Sequence, residues 1–436
     1  MTEAPGILQK DQIERIFTFD LVRGGAIIGI LVFHRVLWDW FFTTYTGGEL
    51  PLEIGLLYLF ITMAGIFYVI TGSVYAFMIH KRLSAGKITE KQVILGGWVN
   101  GLLLIAYSYV MRIFLIRFLD DTMPLVILDP TLQNGTGILP YLILHGVLPN
   151  PLVLPGQWLG LETLAMIGWT IIFVSTILGF ASKWRDLDNP RFIYPLLALI
   201  GAAVLIITPI IRTAVGGAVE TAAHNGEYLL AFFTMPFTYG MMPLFPHLAY
   251  GCFGAMLGTA IARREDRRKL LLLILLFAFV LLILGFPNSG SYQGLPGQEP
   301  YGWIDSLNLM ARKLVQLGFF FLLFFIGLAL VDYRPVEIRN KWARRGRPII
   351  LFGKLALSVY MLEGLMAVIL QQPVSFIWPG WNASFLSIVI FGFFNVLVWY
   401  AILRIWQRHQ FKGSLEWALV WMVQNISGKK SSRFRD

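Results

Sequence analysis

"FDLVRGGAIIGILVFHRVLWDW", residues 19–40, is an apolar run long enough to cross a bilayer, yet it carries an arginine and a histidine inside it. About 20 mainly apolar residues in a helix span the roughly 30 Å of hydrocarbon. Ionisable side chains in such a helix are costly, so they face a bundle interior or a wet cavity rather than lipid. The run therefore reads as one wall of a helical membrane bundle. Composition agrees: of 436 residues, 57% are hydrophobic and 14% charged, which leaves too little polar surface for a separate soluble domain.

Working outward, hydropathy predicts an all-α polytopic bundle of about ten transmembrane helices, over residues 17–42, 54–79, 92–118, 158–181, 192–211, 241–262, 269–286, 314–331, 349–371 and 383–405. Two apolar pieces, 137–151 and 227–237, are too short to span and read as re-entrant or interfacial segments. Lys and Arg concentrate in alternate connections and both termini, which hold 27 of the 35. By the positive-inside rule those segments, with the N- and C-termini, are expected in the cytoplasm. The organisation expected is a cytoplasmic N-terminal segment 1–16, a transmembrane domain 17–405, and a cytoplasmic piece 406–436. That last piece comprises an interfacial helix, "FKGSLEWALVWMVQNI", and a disordered basic tail. The opposite side carries long loops rich in Gly, Pro and Asn, where function is expected to look outward.

The charge of +10 is explained by topology, so no nucleic-acid partner is implied. The single cysteine, Cys252, excludes an internal disulfide and any cysteine cluster, and its expected role is packing. No spacing among the six histidines suits a metal. His247 reads as an interfacial cap at the outer end of the sixth span. A Walker loop, a dinucleotide fingerprint, an HExxH helix and a Gly-x-Ser-x-Gly elbow are all missing, which leaves ATP-driven transport, hydride transfer and metalloprotease chemistry without support.

In the first helix, the step from Arg23 to His34 turns by three turns plus about 20° and rises about 16 Å. The two side chains share a face, with Asp20 near the same stripe. Gly25 and Gly29 lie opposite, a Gly-x-x-x-Gly pair expected to admit another helix closely. Arg23 alone could be a snorkelling cation paired with Asp20. His34 sits beyond easy reach of the cytoplasmic surface. Together they suit an elongated anionic ligand with its phosphates at Arg23 and its reactive end at His34, a shape that coenzyme A has. Neutral imidazole could then act as base on an acceptor entering from outside.

"FDLVRGGAIIGILVFH" resembles the first helix of the polytopic membrane acyltransferases of acyltransferase family 3, whose signature is Arg, ten residues, then His. "RIFTFDLVRGGAIIGILVFHRV", "ITMAGIFYVITGSVYAF", "LETLAMIGWTIIF" and "MMPLFPHLAYGCFGAMLG" are similar to the prokaryotic branch related to heparan-α-glucosaminide N-acetyltransferase. "LFGKLALSVYMLEG" and "FKGSLEWAL" are similar to its YeiB-like relatives. The resemblance implies transfer of an acyl group, acetyl by preference, from cytoplasmic acyl-CoA to a hydroxyl or amine of an extracytoplasmic carbohydrate, in a prokaryotic plasma membrane. It implies His34 as the catalytic base and Arg23 at the donor end. The loop "TTYTGGELPLE" lacks the histidine that the lysosomal branch carries there, which leaves acyl group and acceptor open.

Polar residues also interrupt the ninth span: Lys354, Ser358, Tyr360 and Glu363. Lys354 and Ser358, one turn apart, are expected to join Arg23 and Asp20 in binding acyl-CoA. Glu363 is the first choice to orient His34 or bind the acceptor, with Glu162 and Asp39 as rivals. Arg112 or Arg117 could attract an anionic acceptor or balance Asp120 and Asp121. The expected partners are acyl-CoA, a carbohydrate or small-molecule acceptor and membrane lipid, with no metal. The competing reading is a non-enzymatic transporter or lipid-handling protein.

Overall fold

The computed structural model describes residues 15–41, 62–116, 122–124, 133–150, 162–184, 187, 189–238, 242–288 and 302–427. The expectations for Arg117, Asp120, Asp121, the loop 42–61 and the tail 428–436 lie outside them. Fifteen helices are described: α1 (Phe17–Val36), α2 (Ile66–Ser84), α3 (Glu90–Val110), α4 (Ile138–His145), α5 (Thr163–Trp184), α6 (Pro190–His224), α7 (Tyr228–Thr238), α8 (Leu244–Ala262), α9 (Arg267–Gly285), α10 (Trp303–Gly327), α11 (Val336–Arg345), α12 (Arg347–Lys354), α13 (Ala356–Ile377), α14 (Phe385–Arg408) and α15 (Leu415–Ser427). Wider π turns extend α1, α3 and α10. A two-stranded ladder pairs Met123 with Asn134. The architecture is an all-α polytopic membrane bundle: among the described residues nine helices are long and apolar enough to cross.

The expected second span is the exception, and its packing explains why. Helix α2 carries Thr71, Gly72 and Ser73 at its middle and Lys81 and Arg82 at its end, which dilutes its hydropathy. It touches protein rather than lipid. It runs alongside α8, the most deeply enclosed helix. A Cβ on Gly72 would strike the Gly251 carbonyl, one on Gly254 the Val69 carbonyl, and one on Gly258 the Ser73 carbonyl. Backbones this close leave room for a serine bridge: Ser73 Oγ donates to Val69 O at 2.7 Å and to Gly254 O at 2.9 Å. A valine at Gly254 or Gly258 would push against backbone, which cannot rotate away. Each is expected to destabilise by about 1–3 kcal/mol, read as a fall in the thermal unfolding midpoint in detergent. An unchanged midpoint would mean that the two helices can part freely.

Several expectations are corrected. The close approach to α1 is made at Gly24, whose Cβ would strike Ile349 O of α12, and not at Gly25 or Gly29, which meet nothing outside α1. One residue is a rotation of about 100°, so the packing face moves with it. The fifth span does not end at 211. No proline falls in 212–224, and α6 continues through Gly216 and Gly217 to His224. The eighth begins at Trp303 rather than 314. The ninth, expected as one helix, is broken at Leu355 (φ −112°, ψ 35°) between α12 and α13. Both short apolar pieces form helices, α4 and α7.

Candidate functional site

Two carboxylates from distant parts of the chain fix the helices that matter. Asp332, at the end of α10, accepts hydrogen bonds from the backbone N–H groups of Phe17 at 2.8 Å and Thr18 at 2.9 Å, and from the Thr18 hydroxyl. It caps the start of α1 from outside. Glu416, at the start of α15, does the same at the break in the ninth span. It accepts from Leu357 N at 2.7 Å, Ser358 N at 3.0 Å and Ser358 Oγ at 2.5 Å. In return Ser358 Oγ accepts from Leu415 N at 2.9 Å, so α13 and α15 cap one another. Orphan N–H groups at a helix start favour a negative charge. Burial raises the Glu416 carboxyl pKa, and the bonds from Ser358 and Leu357 pull it the other way.

Ser358 is therefore a docking group for α15. Its expected role in donor binding is not what its contacts serve. Helix α15 is also held by Leu415 and Leu419 against a cluster that includes Leu104 and Met361. Glu416→Ala leaves three donors without their acceptor. We expect a loss of about 2–3 kcal/mol, the range for hydrogen bonds to a charged group. Limited proteolysis should then cut the C-terminal helix first. Equal protease resistance in the variant and the parent would show that the apolar contacts alone hold α15.

At the start of α1, Asp20 is shared by two arginines. Arg15 Nε lies 2.6 Å from Oδ2 and Arg23 Nη2 lies 3.0 Å from Oδ1. Arg23 Nε is buried without a hydrogen-bond partner among the described residues. The crossing of α1 and α12 at Gly24 and Gly353 brings Lys354 into the same group, within electrostatic reach of Arg15, Asp20 and Arg347. Lys354 Nζ also stands 5.9 Å from the Phe411 ring centre, a cation–π distance. The structure thus joins Arg23, Asp20 and Lys354, as expected, and adds Arg15 and Arg347. Two arginines pair with this one carboxylate, Lys354 lies within its electrostatic reach and Arg347 within that of Lys354, so cations outnumber the acid in a place suited to an anion.

Eleven residues further along α1, His34 Nδ1 makes a short contact with Glu363 Oε1 of α13. Their side chains are 27% and 12% exposed, so the pair is sheltered and still reachable. Glu363 Oε2 is buried and accepts no hydrogen bond among the described residues. A carboxylate against Nδ1 holds the proton on that nitrogen and assigns proton acceptance to Nε2. Of the three acids weighed for this place, Glu363 is the one beside the imidazole. Asp39 pairs instead with Arg35, four residues earlier, at 2.8 Å.

Glu162 is linked to the pair's helix through Tyr360. Tyr360, three residues before Glu363 on α13, donates to Glu162 Oε2 at 3.3 Å, and Arg112 Nε is 4.0 Å from Glu162 Oε1. His247 is not an interfacial cap. It is wholly buried, its Nδ1 donates to Pro243 O at 2.7 Å, and its ring meets Tyr68 and Tyr250 edge-on. Sequence reasoning missed Glu416, Arg15, Arg347 and the Tyr360 bridge. It also missed Asn395, a lone amide in an apolar run, fully buried with neither amide atom hydrogen-bonded among the described residues. No group of three or more metal-ligating side chains occurs among the described residues. No protein-family model matches the chain, and no curated protein matches it significantly.

Proposed function

We propose that this integral membrane protein is an acyl-CoA-dependent O- or N-acyltransferase, with acetyl as the preferred acyl group and a prokaryotic plasma membrane as its setting. Its basic loops and both termini face the cytoplasm. The observation that carries the reading is the contact of His34 with Glu363, about 16 Å along one helix from the cation cluster around Asp20. The phosphates of coenzyme A would meet Arg15, Arg23, Arg347 and Lys354. The thin pantetheine arm would run along α1 and bring the thioester to His34.

The chemistry follows from the pairing. His34 Nε2 takes the proton from an acceptor hydroxyl or amine as its oxygen or nitrogen attacks the thioester carbonyl carbon. Nδ1–H stays against Glu363, whose charge stabilises the imidazolium that forms. The tetrahedral intermediate expels the thiolate of coenzyme A, which takes the proton back from the imidazolium. The products are the acylated acceptor and free coenzyme A thiol. Direct transfer is favoured over an acylated histidine, because a carboxylate on Nδ1 is the arrangement of a general base.

The test is release of coenzyme A thiol from acetyl-CoA by the purified protein in liposomes, with simple sugars supplied as acceptors. Acceptor-stimulated release that depends on His34 supports the reading. Solute flux across the same liposomes without thiol release would favour transport instead.

A further inference from the structure

The sequence left the acceptor open, and the polar group beside the His34–Glu363 pair narrows it. Glu162 occupies the start of α5, where its carbonyl accepts from Met166 N at 3.0 Å. Its side chain turns to α13, where Tyr360 holds Oε2. Residues three apart on a helix are neighbours, so Tyr360, which holds Glu162, lies beside Glu363 on α13 and within electrostatic reach of both acids. The third member, Arg112, reaches Glu162 from the end of α3.

Exposure decides what a visitor would meet. Arg112 is 4% exposed and Glu162 22%. The cation is buried, and its charge is already facing Glu162. Of these two charged groups the carboxylate is the more accessible, and its oxygens accept hydrogen bonds and repel anions. Of the two roles open to Arg112 from the sequence, drawing in an anionic acceptor or balancing nearby acids, its contact with Glu162 favours charge balance. The opposite end of the site, around Asp20, has the reverse polarity and suits the anionic donor.

We infer that Glu162, held by Tyr360, is the acceptor-binding carboxylate, and that it selects acceptors that present hydroxyl or ammonium donors and carry no negative charge. This rests on the acyl-transfer reading and names its substrate class. A sugar hydroxyl or amino group would donate to Glu162, leaving a neighbouring nucleophile at His34 Nε2. Glu162 and Tyr360 are positioning residues, since the reacting atoms are at His34.

The experiment compares three acceptors of one size, methyl glucoside, glucosamine and glucuronate, with acetyl-CoA and the full chain in liposomes. The parent is expected to use the first two and to handle glucuronate at least about 10-fold less efficiently in kcat/KM, since a carboxylate meeting an anion forfeits roughly one charged hydrogen bond. Glu162→Gln should raise the KM for glucosamine about 10-fold or more by the same count. It should also shrink the bias against glucuronate. The KM for acetyl-CoA, whose phosphates are placed at the far end of α1, should not move. Tyr360→Phe, which keeps the ring and frees the carboxylate, should move the same quantities less, and it serves if Glu162→Gln does not fold. Direct binding of glucosamine, read by tryptophan fluorescence, should weaken in parallel. Unchanged acceptor KM and charge bias in a folded Glu162→Gln protein would overturn the inference, as would a parent that prefers glucuronate. A parent that releases no thiol defeats acyl transfer, and glucosamine binding that still depends on Glu162 would then leave the subsite standing.

Discussion

Alanine at position 34 is expected to lower acceptor-stimulated thiol release by about 10²- to 10⁴-fold, the usual contribution of a positioned general base. The fold should survive, because His34 is partly exposed and the core around α1 is made by Ile27 and Leu31. Thermal unfolding in detergent checks this. Glu363→Gln keeps the shape and removes the charge that stabilises the imidazolium, so a smaller loss is expected with acetyl-CoA KM unchanged. The double variant His34→Ala, Glu363→Gln should be no worse than His34→Ala alone, because the carboxylate acts through the imidazole. If each substitution multiplied the loss of the other, the two side chains would be working separately. A fully active His34→Ala protein would sink the mechanism.

Asp39→Ala is expected to cost about 3–5 kcal/mol of stability, the largest structural effect of any single change considered. Arg35 and Asp39 form an ion pair at 2.8 Å whose side chains are 2% and 0% exposed. Removing the carboxylate leaves the guanidinium without that counter-charge, in surroundings that cannot solvate it. The same pair replaced as a unit, by Arg35→Met with Asp39→Leu, should recover most of the loss, since apolar residues of similar volume need no partner. Thermal midpoints of the parent, single and double variants measure the difference. Equal losses in single and double would mean that the pair also holds groups beyond itself. Activity should follow stability here, because the carboxylate shown against the imidazole is that of Glu363.

Much of the site was legible because a helix repeats. Arg23 and His34 could be placed on one face from their spacing alone, whereas Glu363 was a first choice that spacing could not rank above Glu162 or Asp39. Ser358 and Lys354 show the limit. Their one-turn spacing suggested a shared role, but the backbone breaks between them, and the partners that claim them are Glu416 for Ser358 and the cation group with Phe411 for Lys354. Glu416 is nearly sixty residues from Ser358 in the chain, and no local pattern announces that contact.

The solvent of this chain, and so its class of fold, was determined by composition and by run length: apolar stretches of helical length have few other places to be. Those are properties of each segment by itself. Which glycine admits a neighbour, which acid meets the imidazole and which cation is buried facing a carboxylate were decided only when helices packed. Each of those facts depends on the rotation and depth of two helices relative to one another. A single residue's shift turns a face by about 100°, and it is the neighbouring helix, not the sequence of the first, that sets where that face points.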